Sequence, residues 1–387
     1  MNFDNPYVTR SRMVSRLLGW LVKYRVPIVV FATTRLGLFI LVCLSLMSLP
    51  VREGEGLWRV FPDNTFLDGW FRWDAGWYNS IVEHGYSNLP KPENGQRDTT
   101  FWPLYPVTVR TVKLVVGNPF VAAFMVSNIA FLVSLILLFR ITKRRYGADI
   151  GTKVVMLISI WPFSFYFSAY YTEALYLLAC VAAFYFGENR RWALAGLCAA
   201  AAGATRLLGC LSMVGLTLLY LEQIQFKVKG IRSDFCWIFL GLIGPLGFVL
   251  FLWLEFGEPF VFYWGRNVPG WAAGVSMASL FNDIGDLFWG RIAMTEINIL
   301  FGLLGLAMVI FTWRKVGIAY SVWAIIGLLA AFFNYVGLGR YVAPIFPVFI
   351  SGAILLSTEG RFLAWAFLST LLLALFSIMY SHWYWVT

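Results

Sequence analysis

Histidine and cysteine are scarce in this chain, whose 387 residues hold two of the first and five of the second. His84 and His382 are too few for a histidine-based metal centre. Cys43, Cys180, Cys198, Cys210 and Cys236 lie in or at the ends of apolar stretches without metal-ligand spacing, so they read as small core residues, not as a disulfide framework or zinc site. Charge is sparse too: 13% of residues are charged against 60% hydrophobic, which excludes a soluble protein. No cleavable signal peptide is visible, because the first apolar run begins near Pro27 and no small-residue cleavage pattern follows it. The first span is therefore expected to persist.

What fills the chain instead is a series of apolar runs of about 20 residues, the length a helix needs to cross a bilayer. Residues 1–26, with Arg10, Arg12, Arg16, Lys23 and Arg25, are expected in the cytoplasm. Spans are expected at 27–49, 118–139, 152–167, from Glu173 to the basic ENRRW, out through LAGLCAAAAGA and back by 222, and at 235–256. Four more are expected up to Arg314, to 336, through YVAPIFPVFISG, and into YSHWYWV, whose aromatics suit an interfacial belt. The expected fold is an all-α polytopic membrane protein, one domain over 1–387 with about eleven transmembrane helices, N-terminus inside and C-terminus outside. Residues 51–117 form a long first extracytoplasmic loop and 257–293 a second. Loops of such length are usually functional.

The formal net charge is +10. In this topology the cytoplasmic segments hold 18 of the 30 Lys and Arg and 6 of the 20 acids. The excess is positive-inside bias with some attraction for anionic headgroups, so membrane lipids are partners and nucleic acid is not.

The first long loop carries DGWFRWDAGWYNSIVEHGY at 68–86. On a helical wheel Phe66, Trp70, Trp73, Trp77 and Ile81 share a stripe with Asp74 at its edge, the pattern of a helix lying in the membrane interface. Asn64 or Thr65 would cap its start and Gly85 end it. The plain reading is an anchor with a solvated charge; the functional one is a carboxylate held at headgroup depth. FWPLYP follows at 101–106, where two prolines predict extended or turn geometry. Arg35, deep in the first span, either snorkels to the cytoplasmic interface or is paired.

Asp68, Asp74, Glu173, Arg206, Arg266 and Arg340 all fall at outer span ends or in outer loops. Charges at membrane depth cost energy and usually mark a site, so six on one side favour a common cavity. Such a cavity suits sugar transfer from a lipid phosphate. One carboxylate takes the acceptor proton and cations stabilise the departing phosphate.

RWDAGWYNSIVEHGY, FWPLYP, PFSFYFSAYYTEALYLL, RRWALAGLCAAAAGATRLLG and LGRYVAPIFP, in this order and spacing, resemble the PIG-V-like mannosyltransferases of the GT-C superfamily over about residues 30–350. The resemblance implies a polytopic inverting glycosyltransferase, with mannose as the sugar. Its donor would be a polyprenyl-phosphate sugar, typically dolichyl phosphate mannose in eukaryotes, and its acceptor a lipid or glycan outside the cytoplasm. It assigns Asp74 as general base, Arg340 to the donor phosphate, and substrate-binding roles to Tyr171, Glu173, Arg206 and Arg35. Trp73, Tyr78, His84 and Tyr341, within or beside the same motifs, join them as candidates, as does Arg266 after FGEPFVFYWG. Leu207 stands where many members have proline, and Arg266 where others often show a different polar residue. No cofactor is expected, since arginines alone can hold the phosphate, although Asp68, Glu173, Asp283 and Asp286 could gather around a divalent ion. Sparse loops and the lack of a retrieval signal favour a prokaryotic plasma membrane over the endoplasmic reticulum. A lipid-linked-sugar flippase or a non-catalytic scaffold subunit would use the same outer cavity. Against the first, no clear internal repeat is visible.

Overall fold

A computed structural model describes residues 24–386 apart from 54–60, 62–63, 92–93, 267, 269–270, 272–275 and 289–292. The expected cytoplasmic residues 1–23 lie outside them. The described residues form helices and loops, with no β-strand among them. Five helices are long and apolar enough to cross a membrane, or up to six if one bent pair counts as a span. The chain is a multi-pass helical membrane protein.

The first span is α1 (Arg25–Ser48). Two short helices follow in the loop, α2 (Thr65–Asp68) and α3 (Ala75–His84), then α4 (Leu104–Val116). Next come the 28-residue α5 (Pro119–Tyr146), α6 (Ala148–Ser159) and α7 (Glu173–Glu188). The small-residue run forms α8 (Trp192–Thr205) and the return α9 (Ser212–Gln223). A 3-10 stretch, Ser233–Leu242, continues into α10 (Ile243–Phe256), followed by α11 (Val261–Trp264) and α12 (Met277–Phe288). The chain closes with α13 (Met294–Val316), α14 (Ile318–Phe332), α15 (Leu338–Val342), α16 (Pro347–Leu355) and α17 (Glu359–Ser381).

Two features differ from expectation. The stripe over 66–81 does not ride on one helix: Gly69–Asp74 is a turn between α2 and α3. Trp73 within it has φ 57°, a left-handed conformation that a bulky residue rarely adopts. Trp70 and Ile81 are buried at 1% and 5% exposure, packed in protein and not half-immersed at an interface. Asn64 does cap α2 through its side chain, and Gly85 ends α3 at φ 81°. FWPLYP, expected extended or in a turn, is non-helical only as far as Pro103. Pro103 stands at the N-cap position of α4 and Pro106 in its first turn, where a missing N–H costs little.

Between α6 and α7 the chain is irregular over 160–172, apart from the 3-10 turn Ser164–Phe167, and it is wholly buried. Non-helical backbone in a membrane protein needs internal partners for its polar groups. Side chains from three other helices supply them. Ser127 Oγ donates to the Ala169 carbonyl at 2.9 Å, and Ser369 Oγ to that of Ile160 at 2.7 Å. Arg35 donates to the carbonyls of Ser159 at 2.7 Å and Ser164 at 2.9 Å, with its guanidinium 4.9 Å from the Phe131 ring centroid. Arg35 is 2% exposed, so it is paired and does not snorkel.

Candidate active site

Three breaks in regular structure meet at one end of the bundle: the turn before α3, the end of the irregular segment, and the bend between α14 and α15. The helix axis turns by 119° at that bend. Gly339 makes the last approach possible, because a Cβ there would sit 2.1 Å from the Phe163 ring. Trp161 Nε1 donates to the Gly339 carbonyl and Asn298 Oδ1 accepts from its N–H, both at 2.9 Å. Arg340 is thereby pressed against the end of the irregular segment.

Four charged side chains converge there. Arg340 donates through Nε to Glu173 and sits 3.4 Å from Asp74 Oδ2 through Nη1. Arg206, just past the C-terminus of α8, donates to the same Glu173 oxygen and, through Nε, to Thr172 Oγ1 at 2.8 Å. Glu173 is fully buried, while Asp74 and Arg206 retain 24% and 17% side-chain exposure. Two carboxylates and two guanidiniums balance to zero charge. The Arg340 guanidinium also lies over the rings of Tyr171 and Tyr166, 4.5 Å and 4.9 Å from their centroids, contacts that favour a desolvated cation.

Asp74 occupies the N-cap position of α3, yet its side chain does not cap the helix. Its carboxylate is left to face Arg340. Burial raises its pKa above the ordinary 3.8, with Arg340 pulling it back down and Glu173 pushing it up. Behind it, Tyr171 Oη accepts from the Asp74 backbone N–H at 3.1 Å and donates to the Arg72 carbonyl at 2.9 Å. This clamp secures the strained Trp73–Asp74 peptide. Tyr78, one turn along α3, is buried and packs edge-on to Tyr105 and Tyr171.

Two cavities flank the cluster. The larger, about 620 Å³, has Asp74 in its wall beside Trp73, Trp77, Trp271, Trp383 and Trp385. The smaller, about 30 Å³, is a narrow slot between Arg206, Tyr341, Tyr176, Trp323 and Pro344. Tyr341 Oη accepts from Asn334 Nδ2 at 2.7 Å at the edge of the bend.

Of the residues the sequence singled out, Asp74, Tyr171, Glu173, Arg206 and Arg340 come together, with Trp73, Tyr78 and Tyr341 around them. Arg35 supports the irregular segment from beneath. His84 is exposed in the last turn of α3, and Arg266 is exposed beyond α11; neither has a side-chain contact with the cluster among the described residues. Asp68 belongs to a separate pair, bonded at 2.7 Å to Arg72 with both side chains fully buried. Arg72 also donates to the Ser381 carbonyl at 2.9 Å and lies 4.9 Å from the Trp383 ring centroid, tying the first loop to the end of α17. That arginine was missed, although its i,i+4 spacing from Asp68 was readable. The four acids that the sequence left free to gather around a divalent ion do not form one group among the described residues, and Asp68 and Glu173 are each bonded to arginine. Asp283, Asp286 and Glu296 do bring one carboxylate oxygen each within 4.8 Å of one another.

The fold is similar to that of solved structures. ArnT from Cupriavidus metallidurans in its apo state matches with a TM-score of 0.54 and 14% identity, over 91% of this chain and 62% of that one. The same protein bound to undecaprenyl phosphate matches at 0.52 and 14% identity, over 90% and 62%. The archaeal oligosaccharyltransferase AglB from Archaeoglobus fulgidus, in complex with an inhibitory peptide and a dolichol-phosphate, gives 0.46 at 12% identity, over 94% and 56%. This chain thus spans less than two thirds of the length of these structures. At 14% identity the property shared with ArnT is the fold. No protein-family profile and no curated protein matches the sequence.

Proposed function

We propose that this protein is an inverting glycosyltransferase that moves a sugar from a polyprenyl-phosphate donor to a hydroxyl of a lipid or glycan acceptor, with Asp74 as the general base. The observation that carries this reading is the Asp74–Arg340–Glu173–Arg206 chain of charges between two cavities. ArnT, whose fold this chain shares, was crystallised with undecaprenyl phosphate, which supports a lipid phosphate as the ligand here.

The chemistry follows from the charges. The donor is a phosphodiester with one negative charge. When the acceptor oxygen attacks the anomeric carbon from the face opposite the phosphate, the C–O bond to phosphate breaks and the lipid phosphate leaves with a second charge. Arg206 and Arg340 are positioned to stabilise that charge in a desolvated site, where such interactions are strongest. The acceptor hydroxyl gives its proton to Asp74 as its oxygen bonds to the sugar, and opposite-face attack inverts the anomeric centre. A carboxylate with a raised pKa is the stronger base, which suits this role.

In this reading Glu173 holds the two arginines apart and oriented until phosphate arrives, and Tyr171 fixes Asp74. The slot beside Arg206 and Tyr341 receives the lipid-phosphate end of the donor, and the larger cavity the acceptor. Tyr78 packs beneath Asp74, and Arg35 acts at a distance by supporting the segment that bears Tyr171 and Glu173. Mannose is the sugar proposed, on the motif resemblance, and the extracytoplasmic face the side. Purified protein in lipid vesicles, given a panel of radiolabelled polyprenyl-phosphate sugars and a crude lipid and glycan extract, should transfer label from one donor. Movement of intact donor across the bilayer, with the sugar–phosphate bond unbroken, would instead establish a flippase.

A further inference from the structure

We infer that the large cavity beside Asp74 is a carbohydrate-binding site, so that the acceptor presents a sugar ring, not a peptide or a bare lipid headgroup, to the base. The inference rests on the transferase reading and deepens it by naming the acceptor's chemical class. Five tryptophans wall the cavity, drawn from three parts of the chain: Trp73 and Trp77 from the first loop, Trp271 from the second, and Trp383 and Trp385 from beyond α17. Trp383 and Trp385 stand edge-on to Trp73 at 5.4 Å and 5.0 Å, and Trp271 lies 5.5 Å from Trp77.

A membrane belt is the ordinary explanation for aromatics near the end of a chain like this. Two observations oppose it. Trp383 is only 4% exposed, and the tryptophans border a space that also contains Asp74, Ser80 and Gln96. An acyl chain in that space would strip water from the exposed part of the carboxylate and leave it Arg340 alone at 3.4 Å, with nothing to meet Ser80 or Gln96.

A pyranose suits both kinds of wall. Its C–H face carries slight positive charge and packs on the negative face of an indole, while its rim of hydroxyls reaches polar groups at the edge. At about 620 Å³ the cavity lies within the range of small-ligand sites. Its wall is also pinned before any ligand enters. Asp98 accepts from Ser87 and Asn88 backbone N–H groups at 2.6 Å and 3.0 Å, and the Lys91 N–H donates to the Gln96 carbonyl at 2.9 Å. Lys91 Nζ lies 4.2 Å from the Trp77 ring centroid, where it also gives the rim a positive charge.

The test is saturation-transfer NMR on the full chain in nanodiscs, irradiating indole protons. The probes are a pool of mannose, glucose and galactose disaccharides and, separately, a pool of unglycosylated tripeptides. Transfer to disaccharide ring protons is expected in the wild type and in Asp74→Asn. About a tenfold loss of affinity is expected in Trp271→Ala and in Trp385→Ala, the latter a half-exposed residue whose removal leaves the core intact. Phenylalanine at either position should restore part of it. No transfer to sugar in the wild type, equal transfer in both alanine variants, or stronger transfer to the peptides would overturn the inference. Disaccharide binding by a chain that consumes no lipid-linked donor would overturn the transferase reading and leave the sugar site standing. Donor consumption without disaccharide binding would overturn the sugar site alone.

Discussion

Replacing Glu173 by glutamine removes one charge from a balanced set of four while nearly preserving shape. In the resting protein its carboxylate is fully buried and serves as the shared acceptor for Arg206 and Arg340. The variant leaves two guanidiniums facing a neutral amide, with only the Asp74 carboxylate, 3.4 Å from Arg340, in compensation. Breaking a buried pair by removing one partner costs about 3–5 kcal/mol, because the remaining charge is left uncompensated. Two arginines share the loss here, and Arg206 keeps some solvent access, so the lower end, about 3 kcal/mol, is expected. The thermal midpoint in detergent should fall by several degrees. Polyprenyl phosphate should then restore more stability to the variant than it adds to the wild type, because the phosphate replaces the missing anion. The assay is thermal denaturation of both proteins with and without the lipid phosphate. A variant as stable as wild type would refute the desolvated pair. A destabilised variant that gains no more from the ligand than wild type does would refute the two arginines as the phosphate site.

Gly339→Ala should cut transfer at least tenfold while leaving membrane insertion intact, because its Cβ would meet the buried Phe163 ring at 2.1 Å and push Arg340 off Glu173; initial rates and nanodisc reconstitution check both halves. Arg35→Met should destabilise the fold by about 1–3 kcal/mol for each carbonyl left bare at Ser159 and Ser164, as read by thermal midpoint, and lower kcat more than it raises donor KM. Transfer should decline as pH falls through the raised pKa of Asp74, which must be ionised to accept a proton, and a pH profile of kcat/KM should show this acidic limb. Stability should move the other way. An acid whose folded pKa is raised above its unfolded 3.8 destabilises the fold above the raised value, and that penalty is relieved as pH falls through the window between them. Asp74→Asn should therefore be no less stable than wild type at neutral pH.

Much of the site was readable because charge is rare in this chain. Asp74, Glu173, Arg206 and Arg340 stand out against apolar runs, and a topology that alternates at basic segments sends all four to one end. Their convergence needed only the helix order. The opposite end of α7 shows the same economy, with Glu188 bonded to Arg144 and Arg145 where the basic RITKRRYG predicted a cytoplasmic boundary. What the sequence could not show was broken structure. A helical wheel assumes continuity, so it put Trp70, Trp73 and Trp77 on one stripe, whereas the turn at Gly69–Asp74 and the left-handed Trp73 send Trp70 into the core and leave Trp73 and Trp77 on the cavity wall. Arg35 has backbone carbonyls for partners, and these carry no residue-type signal. The tryptophan wall was invisible for a related reason. Its members come from sequence positions as far apart as 73 and 385, with no local period to link them, and the last two looked like an interfacial belt. The division of Asp68 from Asp74 also rested on one unnoticed partner, Arg72.

The proposed reaction turns on Asp74 taking the acceptor proton. The most direct measurement is single-turnover transfer from the active radiolabelled polyprenyl-phosphate sugar, comparing wild type with Asp74→Asn, in parallel with equilibrium binding of that donor. The expected result is donor binding within about threefold of wild type and transfer reduced at least a thousandfold, in keeping with loss of a general base and of its charge beside the reacting centre. Transfer by Asp74→Asn at the wild-type rate, with the donor bound normally, would contradict the assignment.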